Sequence, residues 1–165
     1  MIKVEITQPM IDRASQRAEK MGEIKNSLLK GKGNLHGFLG EEMVLNLFPS
    51  CKLKGTKDYD IILEDQEDIL KIEVKTKRRN VSPKNFYTCH VSKTSAHQDP
   101  DVYFFCQVSK DPPYDAYVLG WLPKELFYKR AEFRQKGQLD DFGFAEKVDC
   151  FVCKVSDLMH PVDFI

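Results

Sequence analysis

The chain has 165 residues, 42% of them hydrophobic and 30% charged, and its 25 acidic and 25 basic residues cancel to a formal net charge of zero. That is enough chain for one domain with a sizeable core, and the composition is that of a soluble globular protein, not a disordered or fibrous one. Zero net charge counts against binding nucleic acid through overall basicity, no apolar run approaches a membrane span, and Ile2–Ile6 is too short and too alternating for a secretory apolar region.

Ile2–Ile6 predicts a short strand or extended arm. Thr7 is a helix cap and Pro9 suits a first turn. Ile11, Ala14, Ala18, Met21, Ile24 and Leu28 then form one apolar stripe at helical spacing, so a helix is expected over 8–30, broken by Gly31-Lys32-Gly33. Arg13, Arg17 and Lys20 line another face of it, read as a solvated helix side. A second helix is expected from Asn34 to Phe48, stopped by Pro49-Ser50. On it Glu41 shares a face with Gly37, Val44, Leu45 and Phe48, an unexpected place for a carboxylate, because burial without partners costs several kcal/mol. Glu42 sits nearer Asn46 and reads as the ordinary surface residue of the pair.

Cys51–Thr56 predicts a short strand leading into a hairpin. Its arms are Tyr59-Asp60-Ile61-Ile62-Leu63 and Leu70-Lys71-Ile72-Glu73-Val74-Lys75-Thr76-Lys77, joined by the polar turn Glu64–Asp68. Downstream come a basic loop with Pro83, a strand over Phe86–Val91, and a polar stretch Ser92–Pro100 with a helical turn. Val102–Val108 is a nearly continuous apolar run, expected of a central strand buried on both faces. A turn at Lys110–Tyr114, a strand at Tyr117–Trp121, a helix from Pro123 to about Lys136, a loop at Gly137–Gly143 and a last strand at Cys150–Val155 complete the chain. No repeat or linker interrupts it, so one domain over 1–165 is expected.

The hairpin carries the chemistry. In its second arm Leu70, Ile72 and Val74 point one way and Lys71, Glu73 and Lys75 the other. Asp60 begins an apolar run, and antiparallel pairing brings it close to Glu73 and Lys75. Two carboxylates and an ammonium on one strand face describe a site for Mg²⁺ or Mn²⁺, which takes carboxylate oxygens, waters and substrate phosphates. Lys75 is then placed to orient or help deprotonate an attacking water. Lys77, Arg78 and Arg79 follow at once, and that position favours phosphate contact over a solvated loop.

Asp60, twelve further residues and Glu73-Val74-Lys75 resemble the D…(D/E)-x-K core of the PD-(D/E)xK nuclease superfamily, and the helical Gly37-Phe38-Leu39-Gly40-Glu41 upstream is similar to the Glu-bearing helix of many members. Tyr59 stands where many members have Pro. The resemblance covers mainly Asn34 to Gln107. It implies an α/β, restriction endonuclease-like core (about 34–108), a central mixed β-sheet flanked by helices, with 115–165 an elaboration similar to that of some restriction-like and phage-encoded members. It implies a Mg²⁺- or Mn²⁺-dependent endodeoxyribonuclease that hydrolyses phosphodiesters, with DNA as partner and a homodimer compatible with it. Asp60, Glu73 and the backbone carbonyl of Val74 would bind the metal, Glu41 directly or through a water, with Lys75 catalytic and Lys77, Arg78 and Arg79 holding the DNA backbone. Asp58 remains an alternative to Asp60, which is preferred because it directly precedes Ile61-Ile62-Leu63; Glu42 remains an alternative to Glu41. A catalytically inactive nucleic-acid-binding or assembly module and an RNase are the competing functions.

Five cysteines, an odd count, and no leader pattern point to a reduced, cytoplasmic protein, the host cytoplasm if phage-encoded. Cys150-Phe151-Val152-Cys153 has zinc-like spacing, but no second pair answers it, and the cysteines read as small buried residues of strands. His36, His90, His97 and His160 show no triad spacing and read as surface or boundary residues.

Overall fold

A computed structural model describes residues 1–21, 34–65, 68–140 and 143–164. The two strands expected to form the hairpin do so: β3 (Ile61–Asp65) pairs antiparallel with β4 (Asp68–Arg78) in the register Ile61↔Ile72 and Leu63↔Leu70. With β1 (Ile2–Val4), β2 (Cys51–Leu53), β6 (Val102–Val108) and β7 (Ala116–Pro123) they build a six-stranded sheet in the order β1-β7-β6-β4-β3-β2. β4 and β6 run parallel and the other pairs antiparallel, so the sheet is mixed.

Period-two alternation on the central strands decides what lies on each face. All seven residues of β6 are buried. Val102, Phe104, Cys106 and Val108 pack with Ile72 and Val74 against α1 (Gln8–Met21) and α2 (Asn34–Leu47). Tyr103 and Phe105 point the other way, into a second core with Phe127 of α3 (Lys124–Arg130) and with Cys89, Val91 and Cys153. Those last residues belong to a separate three-stranded antiparallel sheet, β5 (Thr88–Ser92), β9 (Cys150–Lys154) and β8 (Glu132–Arg134), in the order β5-β9-β8. The protein is thus α/β, a mixed sheet with two helices on one face and a small sheet plus a helix on the other.

Several expectations need correction. The third helix stops at Arg130 and not near Lys136: Ala131 is extended, and Phe133 pairs with Phe151 in the small sheet. Lys77 and Arg78 lie inside β4, paired with Gln107 and Val108, and not in a loop. The strand expected from Phe86 begins at Thr88, after a turn closed by the Tyr87 N–H donating to Lys84 O. The expected helix beyond Met21, with Ile24, Leu28 and its Gly31-Lys32-Gly33 break, lies outside the described residues. All five cysteines are buried and unpaired, and none of the described helices is long and apolar enough to cross a membrane.

Candidate active site

The end of β3 sets the position of Asp60. Its N–H donates to Ile72 O (2.9 Å), the last backbone rung of the β3–β4 ladder. Its own carbonyl is taken by Lys54 N (2.8 Å) and Gly55 N (2.9 Å), so the chain has already turned away from β4. The Val74 N–H, next in the ladder, then lacks a backbone acceptor from β3, and Asp60 Oδ2 supplies one at 2.9 Å. A backbone amide therefore holds the carboxylate beside Val74. In a strand a residue's N–H and C=O face the same neighbour, so the Val74 carbonyl points to that edge too.

Alternation puts Glu73, Lys75 and Lys77 on the face opposite Ile72 and Val74. Glu73 is only 6% exposed. Its Oε1 accepts from Lys75 Nζ at 2.7 Å, while Oε2 is buried with no hydrogen-bond partner. Lys75 also donates to Gln98 Oε1 (3.0 Å), and Gln98 Nε2 donates to Lys57 O (3.0 Å), tying the lysine to the loop before Asp60. Gln98 is a site residue the sequence did not disclose: it lies in a polar, aperiodic stretch, where residue type alone carries no signal.

Glu41 arrives on α2. A Cβ on Gly40 would sit 2.0 Å from Thr76 Oγ1, so the bare glycine lets the helix lie against β4. Glu41 is 5% exposed and accepts from Arg17 of α1, whose guanidinium also lies 4.1 Å from the centre of the Phe38 ring. Glu42 is equally buried at 4% and accepts from Arg13 through Nε (2.8 Å) and Nη2 (2.7 Å). Two expectations fail together here. Glu42 is not a surface residue, and the Arg13/Arg17 face of α1 is not simply solvated, because packing α1 on α2 matches that basic face to the adjacent acids.

The electrostatics register the company these acids keep. Burial pushes the Glu41 carboxyl up to about 7; Arg17 opposes this, and Glu73 and Glu42 add to it. Asp60 is pushed well above the usual carboxylate range by burial, then by Glu41 and Glu73, against the pull of the Val74 amide and Lys75. Asp58, the alternative, hydrogen-bonds through its N–H to Thr56 Oγ1 in an exposed turn. Glu41, Asp60 and Glu73 thus form one electrostatic neighbourhood, although their oxygens do not all come within 4.8 Å of one another. Oxygen-only donors, an orphaned buried carboxylate oxygen and the raised Glu41 and Asp60 fit a hard divalent cation held by Asp60 and Glu73.

The three basic residues that follow diverge. Lys77 points to the small sheet, with Nζ 3.1 Å from His90 Nδ1 and 3.5 Å from Thr88 O; burial first and then Arg79 push it down to about 8. Arg78, on the opposite face, lies near enough to His36 to lower its pKa, a smaller effect than burial. Arg79 lies over the Tyr87 ring at 4.1 Å. All three are half-buried. His36 is likewise not a surface residue: it is buried, with Nε2 3.0 Å from Lys110 O, while His90 is a boundary residue that sits between Lys77 and Glu146.

No protein-family model matches the chain, and no curated protein matches it. Among solved structures it is similar to Archaeoglobus fulgidus Hjc, a Holliday junction resolvase from an archaeal hyperthermophile, at 13% identity and a TM-score of 0.39, over 73% of this chain and 85% of that one. A likeness of that size carries no argument about the site.

Proposed function

We propose that the chain is a metal-dependent nuclease of the PD-(D/E)xK type that hydrolyses DNA phosphodiester bonds. The observation that carries this reading is Glu73 Oε2, buried without a hydrogen-bond partner in the same neighbourhood as two further acids, the buried Glu41 and the half-buried Asp60. Leaving such an oxygen unsatisfied costs about 1–3 kcal/mol, more when it is charged, and a bound cation removes the cost. Mg²⁺ or Mn²⁺ there would polarise the phosphoryl oxygen and lower the pKa of a bound water. The chain's own part is to hold that ion with Asp60, Glu73 and the Val74 carbonyl, with Glu41 at the rim. Lys75, steadied by Gln98, orients the attacking water and offsets charge gathering on the phosphoryl group. Arg79 and the neighbouring basic residues hold the flanking backbone.

A second reading also has an observation in its favour. Arg17 already neutralises Glu41, and Lys75 is already bonded to Glu73, as in a self-satisfied polar network of a non-catalytic nucleic-acid-binding module. Incubation with plasmid, single-stranded, branched DNA and RNA, in Mg²⁺, Mn²⁺ or EDTA, separates the two. Cleavage that requires the metal and is lost in Glu73→Gln supports the nuclease. Binding without cleavage of any substrate supports the module, and cleavage of RNA alone replaces DNA as the substrate.

A further inference from the structure

Away from the acidic site, the small sheet gathers a nitrogen, an oxygen and a sulfur donor. The register explains how. His90 pairs with Val152 and Ser92 with Cys150, so His90 and Cys150 are diagonal neighbours on one face of β5–β9, opposite the face carrying Cys89, Val91 and Cys153. Arg134 of β8 lies directly across from Cys150. Glu146 comes from the β8–β9 connection, which folds back on itself through Gly137 N donating to Glu146 O and Glu146 N donating to Gln138 O, both 2.8 Å. Glu146 Oε1 lies 3.2 Å from His90 Nε2, and ligand atoms of His90, Glu146 and Cys150 all lie within 4.8 Å of one another.

We propose that His90, Glu146 and Cys150 form a second metal site, selective for a zinc-class ion and separate from Asp60 and Glu73. The donor set is the argument. Imidazole, thiolate and carboxylate together suit Zn²⁺ or Co²⁺, whereas Mg²⁺ prefers oxygen alone. Tetrahedral zinc, with bonds of about 2.0–2.3 Å, places neighbouring ligand atoms roughly 3.3–3.8 Å apart, so the three side chains need to close by only about 1 Å. Three protein ligands leave a fourth position for water. Two cations lie beside these donors: Arg134 Nη1 is 3.6 Å from Glu146 Oε1, and Lys77 Nζ is 3.1 Å from His90 Nδ1, so a metal on His90 Nε2, which leaves the proton on Nδ1, requires Lys77 to turn to Thr88 O, 3.5 Å away. Arg134 is itself offset by Glu132, at 3.3 and 3.4 Å. Lys77 and Arg134 oppose an added dication, and that opposition makes the site selective. An ion that turns Cys150 into a bound thiolate gains a compensating charge, while one that does not meets only repulsion. The competing account is an internal hydrogen-bonded network that pins the β8–β9 connection without metal.

The inference does not rest on the nuclease reading, and its test needs no substrate. The full chain is stripped with chelator and titrated with Co²⁺. Wild type is expected to show a thiolate-to-cobalt charge-transfer band in the near ultraviolet, with Zn²⁺ displacing it and Mg²⁺ in excess leaving it in place. Cys150→Ser should lose the band. Glu146→Gln, nearly constant in shape, should weaken Co²⁺ at least about tenfold. The double variant Asp60→Asn/Glu73→Gln should retain the band in full. No band in wild type, a band that survives in Cys150→Ser, or wild-type affinity in Glu146→Gln overturns the proposal. If Cys150→Ser fails to fold, the Glu146→Gln titration decides alone.

Discussion

Glu73 and Lys77 stand on one face of one strand, four residues apart, yet they open onto opposite environments. Around Glu73, the buried Glu41 and Glu73 and the half-buried Asp60 share Lys75 and Arg17, and desolvation pushes Glu41 and Asp60 up. Around Lys77, Arg79, Arg134 and His90 gather near Glu146, and burial pushes Lys77 down to about 8 and His90 down to about 4. The same desolvation acts in both places, and in both it favours the neutral form. The difference lies in the donors each gathers: carboxylate oxygens alone at the first, and an imidazole nitrogen, a carboxylate oxygen and a sulfur at the second.

The largest expected effect is catalytic. Lys75→Ala should lose turnover by about 10²–10⁴-fold while still binding DNA, since the acids and the downstream basic residues remain. Single-turnover cleavage and a binding isotherm on the same preparation check it; a wild-type cleavage rate would remove Lys75 from the mechanism.

Next comes the packing that brings Glu41 to the strand. Gly40→Ala should destabilise the fold by about 1–3 kcal/mol, because the added methyl meets Thr76 Oγ1. Thr76→Ala in the same background should recover part of that loss, and denaturant melts of the two single variants and the double measure the coupling. Full additivity would mean that α2 does not touch β4 there.

A third prediction sets the two regions against each other in pH. Glu41 is raised from 4.5 to about 7, so the folded state holds more protons than the unfolded one in that window, and this contribution to stability falls as pH rises from 4.5 through 7. Asp60 acts in the same direction. His90 is lowered from 6.5 to about 4, so its contribution rises with pH over 4 to 6.5. Asp60→Asn isolates the first region. Without metal it should be as stable as wild type or more stable at pH 8, with any advantage shrinking as pH falls and Asp60 takes its proton. It should also abolish most of the melting-temperature increase that Mn²⁺ gives wild type. Thermal melts across pH, with and without Mn²⁺, decide it: an Asn variant that is less stable at pH 8 would make Asp60 a structural cap for the Val74 amide.

The smallest effect concerns phosphate contact. Arg79→Ala should flatten the dependence of log affinity on log salt by roughly one unit or less, and Lys77→Ala should flatten it less, because Lys77 is already engaged with His90. Equal slopes for both variants would mean that Lys77 leaves His90 when DNA binds.

The amino-acid sequence by itself determined the local features of this protein. Alternation marked β4 and its two faces, the apolar run marked β6 as buried on both sides, and a carboxylate on the apolar face of α2 singled out Glu41. Each of these follows from a period of 2 or 3.6 residues along a short segment. Only the tertiary structure decided the partners. Arg13 and Arg17 meet Glu42 and Glu41 because α1 packs on α2, and Gln98 reaches Lys75 from a polar stretch with no period. The small sheet β5-β9-β8, which turns Lys77 inward and assembles His90, Glu146 and Cys150, forms because β5 (Thr88–Ser92) pairs with the distant β9 (Cys150–Lys154). Such contacts are made by chain closure over long loops, and no pattern within a window of the sequence encodes which segments will meet.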